Sequence, residues 1–224
     1  MNEKIFIACD TTNLSKVRKL IKETKTKKLK IGYKFGLEFI NSKKGRAFVS
    51  KLKNKIIFVD LKLHDIPNTM SSTVNSLKDL KINYLTVHIS AGLKALKEVK
   101  KVAGKIKIVG VTTLTSLDNN NLKEIGFSKT VRNLVIHQSK LAKKANLDAL
   151  VCSAHESIYV KKIFKKEIIT PGIRLNSKSN DQKRIMTPRK AVYEKKSDWL
   201  VIGRSITKGN IKKNLNNLIK HFNQ

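Results

Sequence analysis

Eight short apolar runs, each followed by a helix-length amphipathic segment, leave this 224-residue chain few architectures. The runs fall at 5–9, 29–31, 56–60, 84–88, 106–111, 149–152, 168–170 and 199–202. Most are rich in β-branched residues and flanked by charge, as buried strands are. Helical patterns follow at 15–23, 44–53, 69–80, 94–102, 130–145, 157–164, 187–195 and 211–222. Strands that alternate with helices pair in parallel, because the crossover helix returns the chain to the same edge of the sheet. Eight such units predict a closed (β/α)8 barrel, the TIM-barrel architecture, spanning 1–224 as one α/β domain with its chemistry at the C-terminal strand ends. An open, doubly wound sheet is the alternative. The absence of Gly-x-Gly-x-x-Gly after the first strand argues against its dinucleotide-binding version. No linker, repeat or second domain interrupts the pattern.

Charge is the unusual part of the composition. Lys and Arg total 48 against 16 Asp and Glu, a net charge of +32 with a pI near 10.3. Such a balance suggests a nucleic-acid partner. Only seven of the basic residues are arginine, however, and the lysines run through the whole chain instead of forming a tail or one face. Aromatic residues make up 6 % and do not interleave with the basic ones as stacking platforms. Specific nucleic-acid binding is therefore disfavoured; a positive field would also draw in an anionic substrate. Cys9 and Cys152 lie apart in apolar runs and read as small buried hydrophobes, not as a disulfide or metal site. The apolar run before Asp10 is only five residues long, too short for a secretory signal, and no run reaches membrane-spanning length. A cytoplasmic protein with no membrane association is expected.

Chemistry concentrates in Ile56-Ile57-Phe58-Val59-Asp60-Leu61-Lys62-Leu63-His64-Asp65-Ile66-Pro67-Asn68-Thr69. Side chains alternate along a strand, so Asp60 and Lys62 share one side and Leu61 and Leu63 the other. Asp65 follows within one turn of loop, Pro67 ends the extended run, and Asn68 and Thr69 suit a helix start. An ammonium held between two carboxylates stays protonated. It suits a proton donor better than a Schiff-base amine, which needs a depressed pKa. A structural salt bridge at a strand end is the plainer reading of Asp-x-Lys alone. Elsewhere, Asp10 ends the first strand. His88, in Thr86-Val87-His88, reads as a structural hydrogen-bonding residue, and His155 falls outside any catalytic pattern. Hydroxyls in Thr112-Thr113-Leu114-Thr115-Ser116 could bind a planar, carbonyl-rich base. Pro171-Gly172-Ile173-Arg174 and Ile202-Gly203-Arg204-Ser205 place a guanidinium at each of the last two strand ends. With Gly203 allowing close backbone approach, they read as a phosphate site. The long polar segment 172–186 reads as a mobile functional loop.

The string Asp-Leu-Lys-Leu-His-Asp-Ile-Pro-Asn-Thr resembles the active-site signature of the orotidine 5'-phosphate decarboxylase family, and the resemblance extends over nearly the full length. It implies decarboxylation of orotidine 5'-monophosphate to UMP, without metal or organic cofactor, by a homodimer with shared active sites. Lys62, Asp60 and Asp65 would be catalytic, with Asp65 supplied by the neighbouring subunit. Asp10, Lys30, Thr69, Thr115, Arg174, Gln182, Gly203 and Arg204 would bind substrate: Asp10 and Lys30 the ribose, the last four the phosphate. A lone Lys in a barrel strand cannot sit at a sheet edge, so Lys30 is expected in the mouth, neutralised by Asp10 and Asp60. Lys34 competes for this role, but its spacing from Gly32 fits the family less well. The chain departs from the family at Cys9, at Asn180 and at Ser205, none expected to touch substrate. Two alternatives stand beside this reading. One is a metal-dependent sugar-phosphate lyase or epimerase of the same barrel group, though the epimerase's His-x-Asp ligands are replaced here by Lys30-Ile31-Gly32. The other is a basic nucleic-acid-binding protein on an inactive barrel.

Overall fold

The computed structural model describes residues 3–175 and 185–223. Eight parallel strands close in sequence order: β1 (Lys4–Ala8), β2 (Lys30–Gly36), β3 (Ile56–Leu63), β4 (Tyr84–His88), β5 (Lys107–Val111), β6 (Ala149–Val151), β7 (Glu167–Thr170) and β8 (Trp199–Ile202), with β8 pairing back onto β1. The helices are α1 (Leu14–Glu23), α2 (Leu37–Ile40), α3 (Gly45–Ser50), α4 (Pro67–Ser76), α5 (Gly92–Val102), α6 (Asn119–Glu124), α7 (Val131–Lys144), α8 (Ala154–Ile163), α9 (Arg204–Thr207) and α10 (Ile211–Asn223). Their starts and faces follow from sequence. Asn13 caps α1 by accepting from the Lys16 amide at 3.0 Å, and Val17, Leu20 and Ile21 turn one stripe of that helix inward. Pro67 occupies the first turn of α4, where its missing N–H costs nothing. No described helix is long and apolar enough to cross a membrane.

Strand alternation produces two apolar layers. Ile5, Ile7, Ile57, Val59, Leu85 and Val87 face outward against the helices. Phe6, Phe58, Tyr84, Val109, Ile169 and Trp199 fill the barrel interior. Phe6 stacks on Trp199 with ring centroids 4.1 Å apart and meets Tyr84 edge-on at 5.2 Å. Gly32 makes room for this plug: a Cβ there would lie 2.6 Å from the Phe6 ring. Beneath the plug, Glu167 accepts from Tyr84 Oη at 3.0 Å, Lys107 Nζ at 2.9 Å and Trp199 Nε1 at 3.3 Å. The aromatic plug and this ion cluster fill the N-terminal part of the barrel interior.

β2 corrects the sequence expectation. It runs from 30 to 36, not 29 to 31, and Lys30 is its first residue, paired with Lys4 and exposed at the N-terminal rim. Lys30 therefore does not project into the mouth. Lys34, four residues on and so about 13 Å along the strand, takes that place. Both lysines have inward parity, and the axial layer separates them.

Candidate active site

A cavity of about 280 Å³ opens at the C-terminal strand ends, with Asp10, Lys34, Asp60, Lys62, Thr115, Arg174, Gly203 and Arg204 among its lining residues. Along one wall the charges alternate. Lys34 Nζ lies 3.4 Å from Asp10 Oδ1 and 3.4 Å from Asp60 Oδ2, and Lys62 Nζ donates to Asp60 Oδ1 at 2.9 Å. The four charges sum to zero, and the two largely buried members, Lys34 and Asp60, each have partners of opposite sign. Burial alone would raise the Asp60 carboxyl. The Lys34 and Lys62 ammoniums, with hydrogen bonds from Lys62 and Thr86, outweigh it and hold Asp60 below the usual carboxylate range. Burial likewise opposes charge on Lys34, but Asp60 and Asp10 together raise its pKa above the ordinary lysine value.

The backbone of β3 is built for this display. Phe58 and Val59 pair with Tyr84 and Leu85, but the next pair is Leu63 with Val87, so two extra residues of β3 are accommodated. Within this bulge Lys62 has φ +50°, a left-handed conformation uncommon for a side-chain-bearing residue. Thr86 of β4 fills the gap in the ladder. Its hydroxyl accepts from the Lys62 amide at 2.8 Å and donates to Asp60 Oδ1 at 2.9 Å.

Other strand ends contribute hydroxyls and guanidinia. The Thr112 hydroxyl donates to the Val151 carbonyl at 2.8 Å and serves the scaffold; Thr113 and Thr115 both line the cavity, and the Thr113 hydroxyl donates to Gln138 Oε1 at 3.2 Å. The described ends of segment 172–186 are tied together. Arg174 N donates to the Met186 carbonyl at 3.0 Å and Met186 N to the Gly172 carbonyl at 3.1 Å, which sets Arg174 at the rim. A Cβ on Gly203 would meet only Ala8 and Asp10 at ordinary contact distance, so internal packing does not demand a glycine there. His88 lies outside the cavity lining. Its Nδ1 is 3.0 Å from Ser90 Oγ and its ring stacks on His64 at 5.3 Å; burial first, then His64 and Lys62, lower its pKa.

Of the residues singled out in the sequence, Asp10, Asp60, Lys62, Thr115, Arg174, Gly203 and Arg204 converge on one cavity. Lys30, Asp65 and Thr69 do not. Asp65 is exposed and accepts from the Ile66 amide at 2.7 Å, and Thr69 is exposed on the first turn of α4. Gln182 lies outside the described residues. The sequence reading set Lys34 aside as a rival to Lys30, and it gave Thr86 no role. For Lys34 a signal existed: the outward apolar series Ile31, Tyr33, Phe35 prolongs the strand well past residue 31.

Residues 3–214 match the model of a family described as orotidine 5'-phosphate decarboxylase / HUMPS. The chain belongs to this family. An orotidine 5'-phosphate decarboxylase from Wolbachia sp. subsp. Brugia malayi is 43% identical over 222 residues, 96% of each chain. The protein of that name from Sphingopyxis alaskensis is 40% identical over 212 residues, covering 92% of this chain and 93% of the relative. Among solved structures, the orotidine 5'-phosphate decarboxylase from Lactobacillus acidophilus superposes with a TM-score of 0.84 at 29% identity, over 99% of this chain and 100% of its own. The Methanocaldococcus jannaschii orotidine 5'-monophosphate decarboxylase, solved with the inhibitor BMP, shares the fold with a TM-score of 0.77 at 22% identity, over 99% of each chain. The family-model match and the similarly named relatives make this chain a carboxy-lyase, and the family activity is decarboxylation of orotidine 5'-monophosphate in pyrimidine biosynthesis.

Proposed function

We propose that Lys62 carries out the chemical step as a proton donor, without metal or organic cofactor. The observation that carries this reading is the run Asp10–Lys34–Asp60–Lys62, which ends with an ammonium in the cavity fixed by Asp60 at 2.9 Å. Loss of CO2 breaks the bond between C6 of the pyrimidine and its carboxylate carbon and leaves the electron pair on C6. The pyrimidine ring offers that pair no electron sink. A fixed ammonium stabilises the developing charge and then passes its proton to C6, which yields UMP. Asp60, kept ionised beside the departing carboxylate, orients Lys62. Lys34 and Asp10 bind the ribose hydroxyls, and Thr115 faces the base. Arg174, Arg204 and Gly203 receive the phosphate together with Gln182, and the open side of Gly203 suits close approach of an anion to backbone. Binding energy at this remote group organises the site.

The same reading makes the enzyme a homodimer. Asp65 and Thr69 stand exposed on the loop and helix that follow β3, where they can complete a neighbouring subunit's array. It also places the enzyme in the cytoplasm, consistent with Cys9 and Cys152 being buried and not joined in a disulfide.

An absorbance assay with orotidine 5'-monophosphate, with and without chelator, tests the cofactor-free reading. Turnover should be unchanged by chelator. Lys62→Ala should abolish turnover while still binding UMP, because Lys62 acts on the reacting carbon. Turnover within about tenfold of wild type would remove Lys62 as the donor.

A further inference from the structure

We propose that Thr86 is a positioning residue for the reaction: its hydroxyl, set between the Lys62 amide and the Asp60 carboxylate, holds the backbone conformation from which Lys62 reaches C6. The inference rests on the reading of Lys62 as proton donor.

Thr86 is a fully buried polar residue in a strand that reads Tyr-Leu-Thr-Val-His, and like Tyr84 it points into the barrel. A buried hydroxyl in such a place is costly unless both its donor and acceptor capacities are used. Here both are used, and the direction of each bond is determined. The Lys62 N–H can only donate, so it takes a lone pair of Oγ1 at 2.8 Å. The hydroxyl proton then goes to Asp60 Oδ1 at 2.9 Å, because an ionised carboxylate only accepts.

This arrangement substitutes for the ladder bonds that the bulge removes. Between Val59 and Leu63 the β3–β4 register is lost, and the Lys62 amide is met by a side-chain oxygen. Lys62 stands there at φ +50°, a conformation that persists only when its surroundings enforce it. The same Asp60 oxygen that accepts from Thr86 accepts from Lys62 Nζ. The two ends of Lys62, amide and ammonium, are thus tied into one ring closed by Thr86 and Asp60. A flexible four-carbon stem anchored at both ends has few places to put its ammonium. Thr86 itself is not among the residues that line the cavity.

Thr86→Val keeps shape and β-branching but removes the hydroxyl; Thr86→Ser keeps the hydroxyl. With orotidine 5'-monophosphate as substrate, Thr86→Val should lower kcat by about tenfold to 10²-fold, the scale of a misplaced catalytic group. Its affinity for UMP, measured by titration calorimetry, should stay close to wild type, and Thr86→Ser should recover most of kcat. Should Thr86→Val fail to fold, Thr86→Ala against Thr86→Ser gives the same comparison. Lys62→Ala runs alongside. If Thr86→Val turns over like wild type while Lys62→Ala is dead, the positioning role is overturned and the donor stands. If the Thr86 variants lose kcat and UMP affinity in parallel, with no rescue by Ser, Thr86 is only a packing residue. If Lys62→Ala keeps turnover, the donor reading fails and the positioning role falls with it.

Discussion

Two lysines four residues apart on one strand, with the same parity, meet opposite fates. Lys30 is exposed at the rim beside the chain start, whereas Lys34 sits between two carboxylates at the mouth. Lys30→Ala should therefore leave stability and turnover almost untouched, within about 0.5 kcal/mol as for an isolated surface site. Lys34→Ala should lower kcat/KM on the order of 10²-fold, because it frees the ribose and unbalances Asp10 and Asp60. Steady-state kinetics of the pair checks this; equal effects would deny Lys34 its place in the array. Arg204 offers a second residue-scale check. Its guanidinium lines the cavity at the start of α9. Arg204→Ala should weaken UMP binding by about tenfold to 10²-fold, the worth of a hydrogen bond to a charged group, and leave uridine, which lacks the phosphate, nearly unaffected. Equal losses for both ligands would take Arg204 out of the phosphate site.

At the scale of elements, the two ends of the barrel handle charge differently. The mouth holds the Asp60 carboxylate ionised between the Lys34 and Lys62 ammoniums, whereas the floor uses one carboxylate as a structural hub. Glu167 is the acceptor for Tyr84, Lys107 and Trp199, which stand on three different strands. Burial pushes its pKa up, but the Lys107 hydrogen bond and charge, with the bonds from Tyr84 and Trp199, bring it below the ordinary glutamate value. A folded-state pKa below the unfolded one means stability that is present above the unfolded pKa and lost as pH falls through the folded value. Glu167→Gln places an amide N–H₂ against donors and should cost about 1–3 kcal/mol at pH 7 in urea denaturation. The gap between wild type and mutant should shrink once pH falls below about 4.3, where the unfolded glutamate takes up its proton. A gap unchanged down to pH 3 would mean that Glu167 contributes through packing and not through its charge.

The whole molecule bears on the site through Asp65. Within one chain it is exposed and bonded to its own loop, away from Lys62. If Asp65 serves the partner's site, Lys62→Ala and Asp65→Ala homodimers should both be nearly inactive. In a mixed dimer, one site collects both lesions and the other is intact, as two-fold symmetry requires. Equal mixing gives about half mixed dimers, each with one good site, so roughly a quarter of wild-type activity should return. Verified subunit exchange with no return of activity would place Asp65 in the same site as its own Lys62. The net charge of +32 also belongs to this scale, as a field that draws in an anionic nucleotide and weakens with added salt.

Local periodicity is a property of adjacent residues, and it was enough to read eight β-α units and to expect a closed barrel; the string from Asp60 to Thr69 stood out by its resemblance to a known family. Strand parity placed Asp60 and Lys62 on one side before any fold was known. Most of the cavity's charged and hydroxyl residues were legible because they cluster at the ends of apolar runs. The outward series Ile31, Tyr33, Phe35 signals that β2 runs past residue 31, but only the tertiary structure decided how far along it the mouth lies, because parity repeats every two residues and by itself cannot distinguish Lys30 from Lys34. The bulge in β3 was likewise invisible: it is a mismatch in count between two strands, 59–63 against 85–87, and neither strand contains it alone. Thr86 read as one hydroxyl among many until that mismatch brought it against the Lys62 amide. Its role comes from a register that exists only between strands.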